Sequence, residues 1–334
     1  MIMIYDCIII GSGLSGLACA KELKKNNLSV LVVDKGFLPG GRTASKTINT
    51  DLGNAVFDYG AQYFTVESIE FLKQVNEWVR NGLVDKWATN FESFAPKKQE
   101  DKVRYKAFPT MRSICLDLCT GLEIKQKTKV TRIEKIEDEI CKIITENGDF
   151  FEAKSIVITA PIIQSLALCY SSGIIPDFNT VSFFNQQRYH ACATLMIVPD
   201  TESLIPEPGG MWCDPQSNFQ WMADNKKKGI SEITAISANL TPEFSKISYS
   251  LTDEEVFESL SESLSEFVPG NYIYKHIHRW KYAQPINIVD TGFIRDGYYP
   301  NLWFAGDVFL NGRVESAWLS GYKTAKAIIK SKTS

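Results

Sequence analysis

The sequence predicts an α/β protein with a Rossmann-like dinucleotide-binding domain and a second, α+β domain built on an antiparallel sheet. Three observations lead to this fold class. A glycine-rich βαβ pattern lies within residues 4–34, loop-separated strand patterns occupy residues 189–282, and α/β texture returns from residue 302 onward. We therefore expect a discontinuous first domain of residues 1–66, 103–161 and 290–334, and a second domain of residues 67–102 and 162–289.

The βαβ pattern has every part of a dinucleotide-binding unit. A β-branched apolar run over residues 6–10 predicts a buried strand and ends at Gly11-Ser12-Gly13-Leu14-Ser15-Gly16. Residues 17–25 have helical composition, and a second β-branched run, residues 28–33, ends on Asp34. A strand, Gly-x-Gly-x-x-Gly, a helix, a strand and an acid about 20 residues past the glycines make up that signature.

Each residue of the signature has a physical role. Gly11 allows a sharp turn off the strand, Gly13 has no Cβ to obstruct a pyrophosphate, and Gly16 lets the helix pack closely on the sheet. The helix N-terminus offers unpaired N–H groups to phosphates. Asp34 can accept both hydroxyls of an adenosine ribose.

Composition excludes several classes of protein. Hydrophobic residues make up 44% and charged residues 22% of the chain, which is ordinary for a globular protein. The formal charge is −3 with no basic block, so we expect no nucleic-acid partner. We also expect no signal peptide, no membrane association and a cytoplasmic location, because no apolar run approaches about 20 residues.

Cysteine and histidine usage indicates neither a disulfide framework nor a metal site. The eight cysteines include no Cys-x-x-Cys, and the three histidines form no HxxxH or Cys/His cluster. Buried reduced thiols are the expected state. Cys115 and Cys119, one helical turn apart, leave a redox pair open, although a helix gives such a pair poor disulfide geometry.

Two segments after the βαβ unit contain further candidate ligand contacts. Gly40-Gly41-Arg42 places flexible backbone and a cation beyond the nucleotide site, which is typical of a second phosphate-side contact in an FAD domain; a solvated turn is the alternative. In the strand and glycine turn of residues 56–65, Gln62 and Tyr63 are polar groups in apolar surroundings. They face a ligand or belong to a buried hairpin.

The remaining patterns predict individual elements. Lys226-Lys227-Lys228 is interpreted as a solvated turn, with a phosphate clamp as the alternative. The other segments are predicted as helices at 68–81, 110–120, 252–267 and 313–330, a meander of strands within 123–152, and buried strands at 155–159 and 302–305.

These residues together resemble a known class of flavoproteins. The glycine motif, Asp34 and Gly40-Gly41-Arg42 are similar to the FAD-binding signature of the amine oxidase and glutathione reductase type, and Ala305-Gly306-Asp307 resembles its second FAD motif. More narrowly, four blocks resemble the renalase family, particularly its bacterial members: FDYGAQYFT (57–65), FQWMADNKKKG (219–229), HRWKYAQP (278–285) and LWFAGDVFLNGRVESAWLSG (302–321).

The resemblance implies non-covalent FAD and a set of cofactor contacts. It also implies that the helix starting near Arg313 points its N-terminus at the flavin N1–C2=O edge, where a helix dipole stabilises negative charge. From the motif and the resemblance together, the expected cofactor-binding residues are Gly11, Ser12, Gly13, Ser15, Gly16, Asp34, Lys35, Gly41, Arg42, Gly60, Ala61, Gln62, Tyr63, Val130, Ala160, Gly306, Asp307, Arg313, Val314 and Glu315.

The resemblance also implies a substrate. Renalase-like proteins oxidise the 2- and 6-dihydro isomers of NAD(P)H to NAD(P)+ and pass electrons to O2, giving H2O2. The C-terminal block lacks the tyrosine pair that forms the aromatic cage of monoamine oxidases. We expect a monomer with His278 and Arg313 as catalytic residues, and a substrate pocket formed by Tyr63, Trp221, Asn225, His278 and Arg279.

Three alternatives stay open at this point. The chain could be an amine oxidase or a desaturase on the same scaffold, or a flavin-binding sensor without turnover. His278, beside Arg279 and Trp280, could be a structural hydrogen-bonding residue and not a functional one.

Overall fold

The protein is described by a computed structural model covering residues 3–94, 101–135 and 140–333. Within these ranges the strands are β1 (Ile4–Tyr5), β2 (Cys7–Ile10), β3 (Val30–Val33), β4 (Ser45–Thr50), β5 (Gly53–Asp58), β6 (Val84–Ala88), β7 (Glu92–Ser93), β8 (Arg104–Ala107), β9 (Glu123–Lys125), β10 (Val130–Lys135), β11 (Cys141–Thr145), β12 (Phe150–Ala153), β13 (Ile156–Ile158), β14 (Tyr189–Pro199), β15 (Gly210–Trp212), β16 (Phe219–Asp224), β17 (Ile236–Leu240), β18 (Tyr272–Pro285), β19 (Ile294–Arg295) and β20 (Leu302–Phe304).

The helices of the described residues are mostly short. They are α1 (Leu14–Lys25), α2 (Ile69–Arg80), α3 (Ser113–Cys119), α4 (Ile162–Ser171), α5 (Phe178–Gln186), α6 (Pro242–Ile247), α7 (Asp253–Ser259), α8 (Ser261–Ser265) and α9 (Val314–Thr333), with 3-10 turns at Gly41–Thr43, Pro215–Ser217, Ser248–Ser250 and Asp307–Phe309. The single helix predicted at 252–267 is in fact two, α7 and α8, with Leu260 between them.

The first sheet is the predicted dinucleotide-binding sheet, with strand order β19-β20-β13-β2-β3-β9. All neighbours are parallel except β19, which runs antiparallel to β20. Strand β2 is buried on both faces: Ile8 packs in one core cluster with Ile156, whereas Cys7 and Ile9 pack in another with α1. A centre strand with both faces covered explains its continuous apolar run.

The last helix closes the first domain against the glycine motif. A Cβ built on Gly321 of α9 would lie 1.9 Å from the Ser15 carbonyl oxygen of α1, so only glycine permits this approach. The predicted return of the C-terminal segment to the first domain is therefore explained by direct backbone packing between α1 and α9.

Two predicted domain boundaries do not coincide with changes in packing. Helix α2, expected in the second domain, buries Phe71 and Trp78 in one cluster with Leu17 of α1 and Trp318 of α9. Helices α4 and α5, which the boundary at 161 also assigns to the second domain, pack instead under the first sheet, with Cys169 and Phe184 in the core of Ile8 and Ile156.

A four-stranded sheet with order β1-β12-β11-β10 lies beside the first sheet. The predicted meander is confirmed for β10, β11 and β12, which pair antiparallel. Strand β9, expected in the meander, joins the edge of the first sheet beside β3.

The antiparallel sheet of the second domain is confirmed. Its order is β18-β14-β17-β16-β15-β7, with all neighbours antiparallel except the short β7. One face packs on the helical segment α6–α8 through residues such as Leu195, Ile236 and Val256. The other face is turned toward the first domain and carries the side chains described next.

Candidate active site

One continuous cavity of about 2130 Å³ runs between the two domains. It begins at the carboxyl ends of β2 and β3, where Ile10, Val33 and Asp34 line it, and reaches Trp221 and His278 on the second-domain sheet. Parallel α/β sheets bind ligands at this edge of their strands.

The glycine motif forms a phosphate-sized cradle. A Cβ built on Gly13 would meet no protein atom within 4 Å, so it would enter the cavity. Gly13 caps α1 without a side-chain hydrogen bond, and the buried Ser15 Oγ has no partner in the protein. Gly11 has φ +118° and faces Thr159, which requires glycine at the turn. These free donors and this open space suit an anion at the helix N-terminus.

The carboxylate of Asp34 is fixed by two backbone donors. Its Oδ2 accepts a hydrogen bond from the Ser12 N–H at 2.5 Å, and its Oδ1 accepts one from the Gly36 N–H at 2.6 Å. Asp34, Lys35 and Val130 line the same end of the cavity. The carboxylate is thus held in place where the ribose of a nucleotide is expected.

Arg42 and Asp307 form a bidentate ion pair across the middle of the cavity. Arg42 Nη1 lies 2.8 Å from Asp307 Oδ2, and Nη2 lies 2.6 Å from Oδ1. Nη1 also donates to the carbonyl of Ala283 at 3.0 Å. The pair joins the Gly40–Arg42 segment to the C-terminal Gly306–Asp307 segment.

The loop after β5 presents Gly60, Ala61, Gln62 and Tyr63 to the cavity. A Cβ on Gly60 would lie 2.1 Å from the Arg42 carbonyl oxygen, which explains the glycine. Gln62 Nε2 donates to the Asp58 carbonyl, and the buried Gln62 Oε1 has no partner in the protein.

A single row of cross-strand neighbours forms the floor of the substrate end. In register, Trp212 of β15 opposes Trp221 of β16, Trp221 opposes Asn239 of β17, and Asn239 opposes Thr194 of β14. Thr194 in turn opposes His278 of β18, and all five residues line the cavity. Directly opposed residues share one face of a sheet, so the antiparallel pairing brings together residues far apart in sequence.

His278 lies within an aromatic group. Its ring centroid is 4.9 Å from that of Tyr59 and 4.2 Å from that of Trp280, whose indole N–H donates to the Tyr59 carbonyl at 3.0 Å. Burial lowers the pKa of His278 from its ordinary value, and the charges of His276 and Lys46 lower it further. The imidazole is therefore neutral at pH 7.

A second aromatic group forms the opposite wall. Tyr63 lies 5.6 Å from Trp221 and 5.7 Å from Phe91 between ring centroids, and the Arg104 guanidinium lies 5.8 Å from the Tyr63 ring. Burial raises the pKa of the Tyr63 phenol, so it stays protonated. Flat apolar walls of this kind suit planar ring systems.

Most of the predicted cofactor and substrate residues line this cavity. They are Gly11, Gly13, Ser15, Asp34, Lys35, Gly41, Arg42, Gly60, Ala61, Gln62, Tyr63, Val130, Ala160, Gly306, Asp307, Arg313, Val314, Trp221, His278 and Arg279.

Four predicted residues lie outside the lining: Ser12, Gly16, Glu315 and Asn225, of which the last is described below. Ser12 is buried behind Asp34, and Gly16 packs with its Cα against the Gly11 carbonyl. Glu315 accepts hydrogen bonds from the Glu67 and Ser68 N–H groups and caps α2.

Asn225 requires a correction, and so does the role of Arg279. Asn225 is fully buried, and its amide donates to the Ala235 carbonyl at 2.8 Å and to Ser237 Oγ at 3.0 Å, so it shapes a turn. The alternation of β18 turns the Arg279 guanidinium away from His278 toward Asp253, at 2.7 Å. Neither side chain is free to bind a substrate as predicted.

The sequence interpretation missed several residues of the site. Thr194 and Asn239 are polar residues within apolar strands, and only the pairing register of those strands shows that they face the cavity. Tyr59 is an aromatic residue in the loop directly after β5. Lys228, interpreted as part of a solvated turn, is fully buried and paired with Asp58 at 2.6 Å. The signal for it was Asp58 itself, because a carboxylate inside an apolar strand needs a partner.

Two family models match the chain. Residues 9–78 match the NAD(P)-binding Rossmann-like domain, and residues 106–329 match the flavin containing amine oxidoreductase. The chain belongs to the flavin containing amine oxidoreductase family. It is accordingly an FAD-dependent oxidoreductase, as the sequence predicts.

Known structures share the fold of this chain. Cyclohexylamine oxidase from Brevibacterium oxydans superposes with a TM-score of 0.77 at 14% identity, covering 99% of this chain and 100% of that one. Wild-type putrescine oxidase bound to putrescine gives 0.74 at 14% identity, with the same coverage. A curated L-amino acid dehydrogenase from Synechocystis sp. is 38% identical over 73 residues, which are 22% of this chain and 15% of that protein.

The geometry of the cavity itself fits FAD. The open space at Gly13, the unpartnered Ser15 Oγ, the fixed Asp34 carboxylate and the cation Arg42 lie along one path. These groups would hold the pyrophosphate and the adenosine, and residues 60–63 would lie beside the flavin.

Other site types find no support within the described ranges. The structure contains no group of three or more His, Cys, Asp or Glu side chains that could hold a metal ion. No helix of residues 3–94, 101–135 and 140–333 is long and apolar enough to cross a membrane. The eight cysteines, including Cys115 and Cys119, are free thiols.

Proposed function

We propose that this enzyme is a renalase-like oxidase that converts the 2- or 6-dihydro isomers of NAD(P)H to NAD(P)+, with O2 reduced to H2O2. Four sequence blocks that resemble renalase support the proposal, and each contributes residues to the cavity, among them Tyr63, Trp221, His278 and Arg313. The charge of the cavity is the observation that carries it.

Cationic side chains outnumber carboxylates at the substrate end. The described lining there includes the cations Lys46, Lys102, Arg104, Lys281 and Arg313. Glu243 is the carboxylate among the described lining residues of this end, and Glu67 pairs with Lys102 and Arg313 from outside the lining. Such a field attracts the phosphates of a dinucleotide and opposes the entry of an ammonium ion.

The side chains of the floor suit a dihydropyridine ring. Neutral His278 and Thr194 offer polar contacts, and the rings of Tyr59, Tyr63 and Trp221 offer flat surfaces on either side. These residues orient the ring and exclude water, which is the contribution that protein groups make to cofactor chemistry.

The reaction needs little acid–base help from the protein. FAD, when bound, supplies the hydride acceptor and transfers the two electrons to O2. The substrate carbon loses a hydride, the ring becomes an aromatic pyridinium, and O2 gains two electrons and two protons to become H2O2. A dihydropyridine is already a hydride donor, so a neutral His278 in place of a strong base is consistent with this chemistry.

Product analysis in air tests the proposal. Purified enzyme incubated with 6-dihydro-NAD is expected to form one NAD+ and one H2O2 per O2 consumed, measured by chromatography and a peroxidase assay. Consumption of O2 with putrescine or cyclohexylamine, and none with the dihydro isomers, would favour the amine oxidase alternative. No turnover with either class would favour a non-catalytic flavin-binding protein.

A further inference from the structure

A fully buried charge of the second domain, Lys228, lies behind the cavity-lining loop of residues 59–63. The ammonium group of Lys228 has no solvent exposure, and its Nζ lies 2.6 Å from Asp58 Oδ2, which is equally buried. The same Nζ donates to the carbonyl oxygen of Gln62 at 2.7 Å and lies 4.9 Å from the centroid of the Trp87 ring.

The turn that carries Lys228 is held by hydrogen bonds from buried side chains. Asp224 Oδ1 accepts hydrogen bonds from the Lys226 and Lys227 N–H groups, and Asp224 Oδ2 accepts one from Ser203 Oγ at 2.6 Å. The buried Asn225 amide ties the other side of the turn to Ala235 and Ser237. The backbone of this turn is thus held on both sides, which fixes the position from which the Lys228 side chain extends.

The receiving loop is equally well defined. Asp58 ends β5, and its Oδ1 accepts hydrogen bonds from Ser45 Oγ at 2.7 Å and from the Met111 N–H at 2.9 Å. The Gln62 side chain donates back to the Asp58 carbonyl. Lys228 therefore connects both ends of the segment from Asp58 to Gln62, whose residues 59–62 line the cavity.

We propose that Lys228, held by Asp58, is a positioning residue that fixes segment 59–63 against the cofactor and against the Trp87 ring, whose centroid lies 6.2 Å from that of Tyr63. It does not line the cavity itself and acts through Gln62 and Trp87. The proposal rests on the FAD-dependent activity of the family and not on the identity of the substrate. A buried pair is a weak source of net stability, which leaves specificity of geometry as its contribution.

The exposed lysine of the same turn provides a matched control. Lys226 pairs with Glu202 at the surface and has 41% side-chain exposure, so Lys226→Met makes the same chemical change away from the loop. Lys228→Met keeps the length and the apolar stem but removes the charge and the hydrogen bond to Gln62. The double variant Asp58→Asn/Lys228→Met removes both charges and leaves no buried ion unpaired.

The readouts are FAD content, the visible circular dichroism of the bound flavin, its reduction potential and its limiting rate of anaerobic reduction by 6-dihydro-NAD. We expect Lys228→Met to change the circular dichroism spectrum and to lower the reduction potential, because the Asp58 carboxylate loses its counter-charge near the flavin. The limiting rate is expected to fall about 10- to 100-fold, as misplacement of reacting groups by about 1 Å commonly costs. Lys226→Met is expected to match the wild type in all four.

The double variant separates positioning from stability. It is expected to recover the melting temperature lost in Lys228→Met but to keep the altered spectrum and the slow reduction. Recovery of every readout in the double variant would overturn the proposal. A folded Lys228→Met variant with the wild-type spectrum and reduction potential would overturn it as well. If Lys228→Met does not fold, the double variant gives the same decision. If the dihydro isomers do not reduce the wild type, the spectrum and the potential still decide it, which distinguishes this failure from failure of the proposed function.

Discussion

The guanidinium of Arg42 and the carboxylate of Asp307 pair through two hydrogen bonds of 2.8 and 2.6 Å, although 265 residues separate them. One follows the Gly40-Gly41 turn after the first βαβ unit, and the other follows Gly306 near the start of the last helix. The pair therefore joins the N-terminal and C-terminal parts of the first domain beside the expected cofactor, and Asp307 is buried there.

Removing Arg42 is expected to weaken FAD binding. Arg42→Met leaves Asp307 unpaired beside the expected pyrophosphate, which adds repulsion to the lost cation. We expect the Kd for FAD to rise about 10- to 100-fold, or about 1.4–2.7 kcal/mol, and Arg42→Lys to recover only part because lysine cannot pair in two places. Titration of apoprotein with FAD by fluorescence checks this. Arg80→Met, at an exposed position of helix α2, is the control, and equal affinities for Arg42→Met and Arg80→Met would contradict the assignment.

The glycines of the motif are expected to respond differently to alanine. A Cβ at Gly13 enters open space, whereas a Cβ at Gly16 would lie 2.0 Å from the Gly11 carbonyl oxygen. Gly13→Ala should leave the melting temperature of the apoprotein unchanged and weaken FAD binding. Gly16→Ala should destabilise the apoprotein by about 1–3 kcal/mol through overpacking. Thermal melts and FAD titrations of both variants check the contrast; equal loss of stability in both would show that Gly13 is structural.

Asp34 provides a third test of the cofactor end. Its two oxygens accept from the Ser12 and Gly36 N–H groups, and an asparagine can accept at only one of these positions. Asp34→Asn should therefore weaken FAD binding by about 1–3 kcal/mol, the usual cost of unpaired buried polar groups. Isothermal titration of apoprotein measures it, with Asp51→Asn on an exposed turn as the control. The two variants binding FAD equally well would place the ribose elsewhere.

The cofactor end was predictable from sequence, and the substrate end was not. The glycine motif, Asp34 and Arg42 depend on local spacing, because one strand–helix unit builds the whole cradle. The floor of the substrate end depends on register: Trp221, Thr194 and His278 lie in one row only when the four strands β16, β17, β14 and β18 pair with particular offsets. Asn225 and Lys228 show the same limit: both are fully buried in one turn, and only their partners show that Lys228 contacts Asp58 and Gln62 whereas Asn225 contacts Ala235.

The neutral state of His278 predicts a pH dependence. Burial lowers the pKa of His278 below its ordinary value of 6.5, so the unfolded chain takes up the proton first as pH falls. The stability contributed by the neutral ring is fully present above pH 6.5, the pKa of the unfolded chain. It is lost as the pH falls from 6.5 toward the lower pKa of the folded protein. The limiting rate of flavin reduction should be flat from pH 8 to 6.5 and fall below it.

Variants of the two neighbouring histidines separate their contributions. In His278→Asn the limiting rate of flavin reduction should be about 10- to 100-fold lower at pH 8, corresponding to about 1.4–2.7 kcal/mol. Its pH profile should also lack the acid limb, which is the fall below pH 6.5. His276→Asn should retain that limb, although the pKa of His276 is also lowered by burial. Stopped-flow rates from pH 5 to 8 measure both, and an acid limb that persists in His278→Asn would assign the titration to another group.

The central claim is that the cavity takes a dihydronicotinamide dinucleotide, whose phosphates are anionic, and not an amine. The most direct measurement is anaerobic stopped-flow bleaching of the bound flavin with a panel of reductants. We expect rapid reduction by 2- or 6-dihydro-NAD(P), and slow or no reduction by ordinary 4-dihydro NADH, putrescine and cyclohexylamine. Rapid bleaching by an amine, with none by the dihydro isomers, would contradict the account.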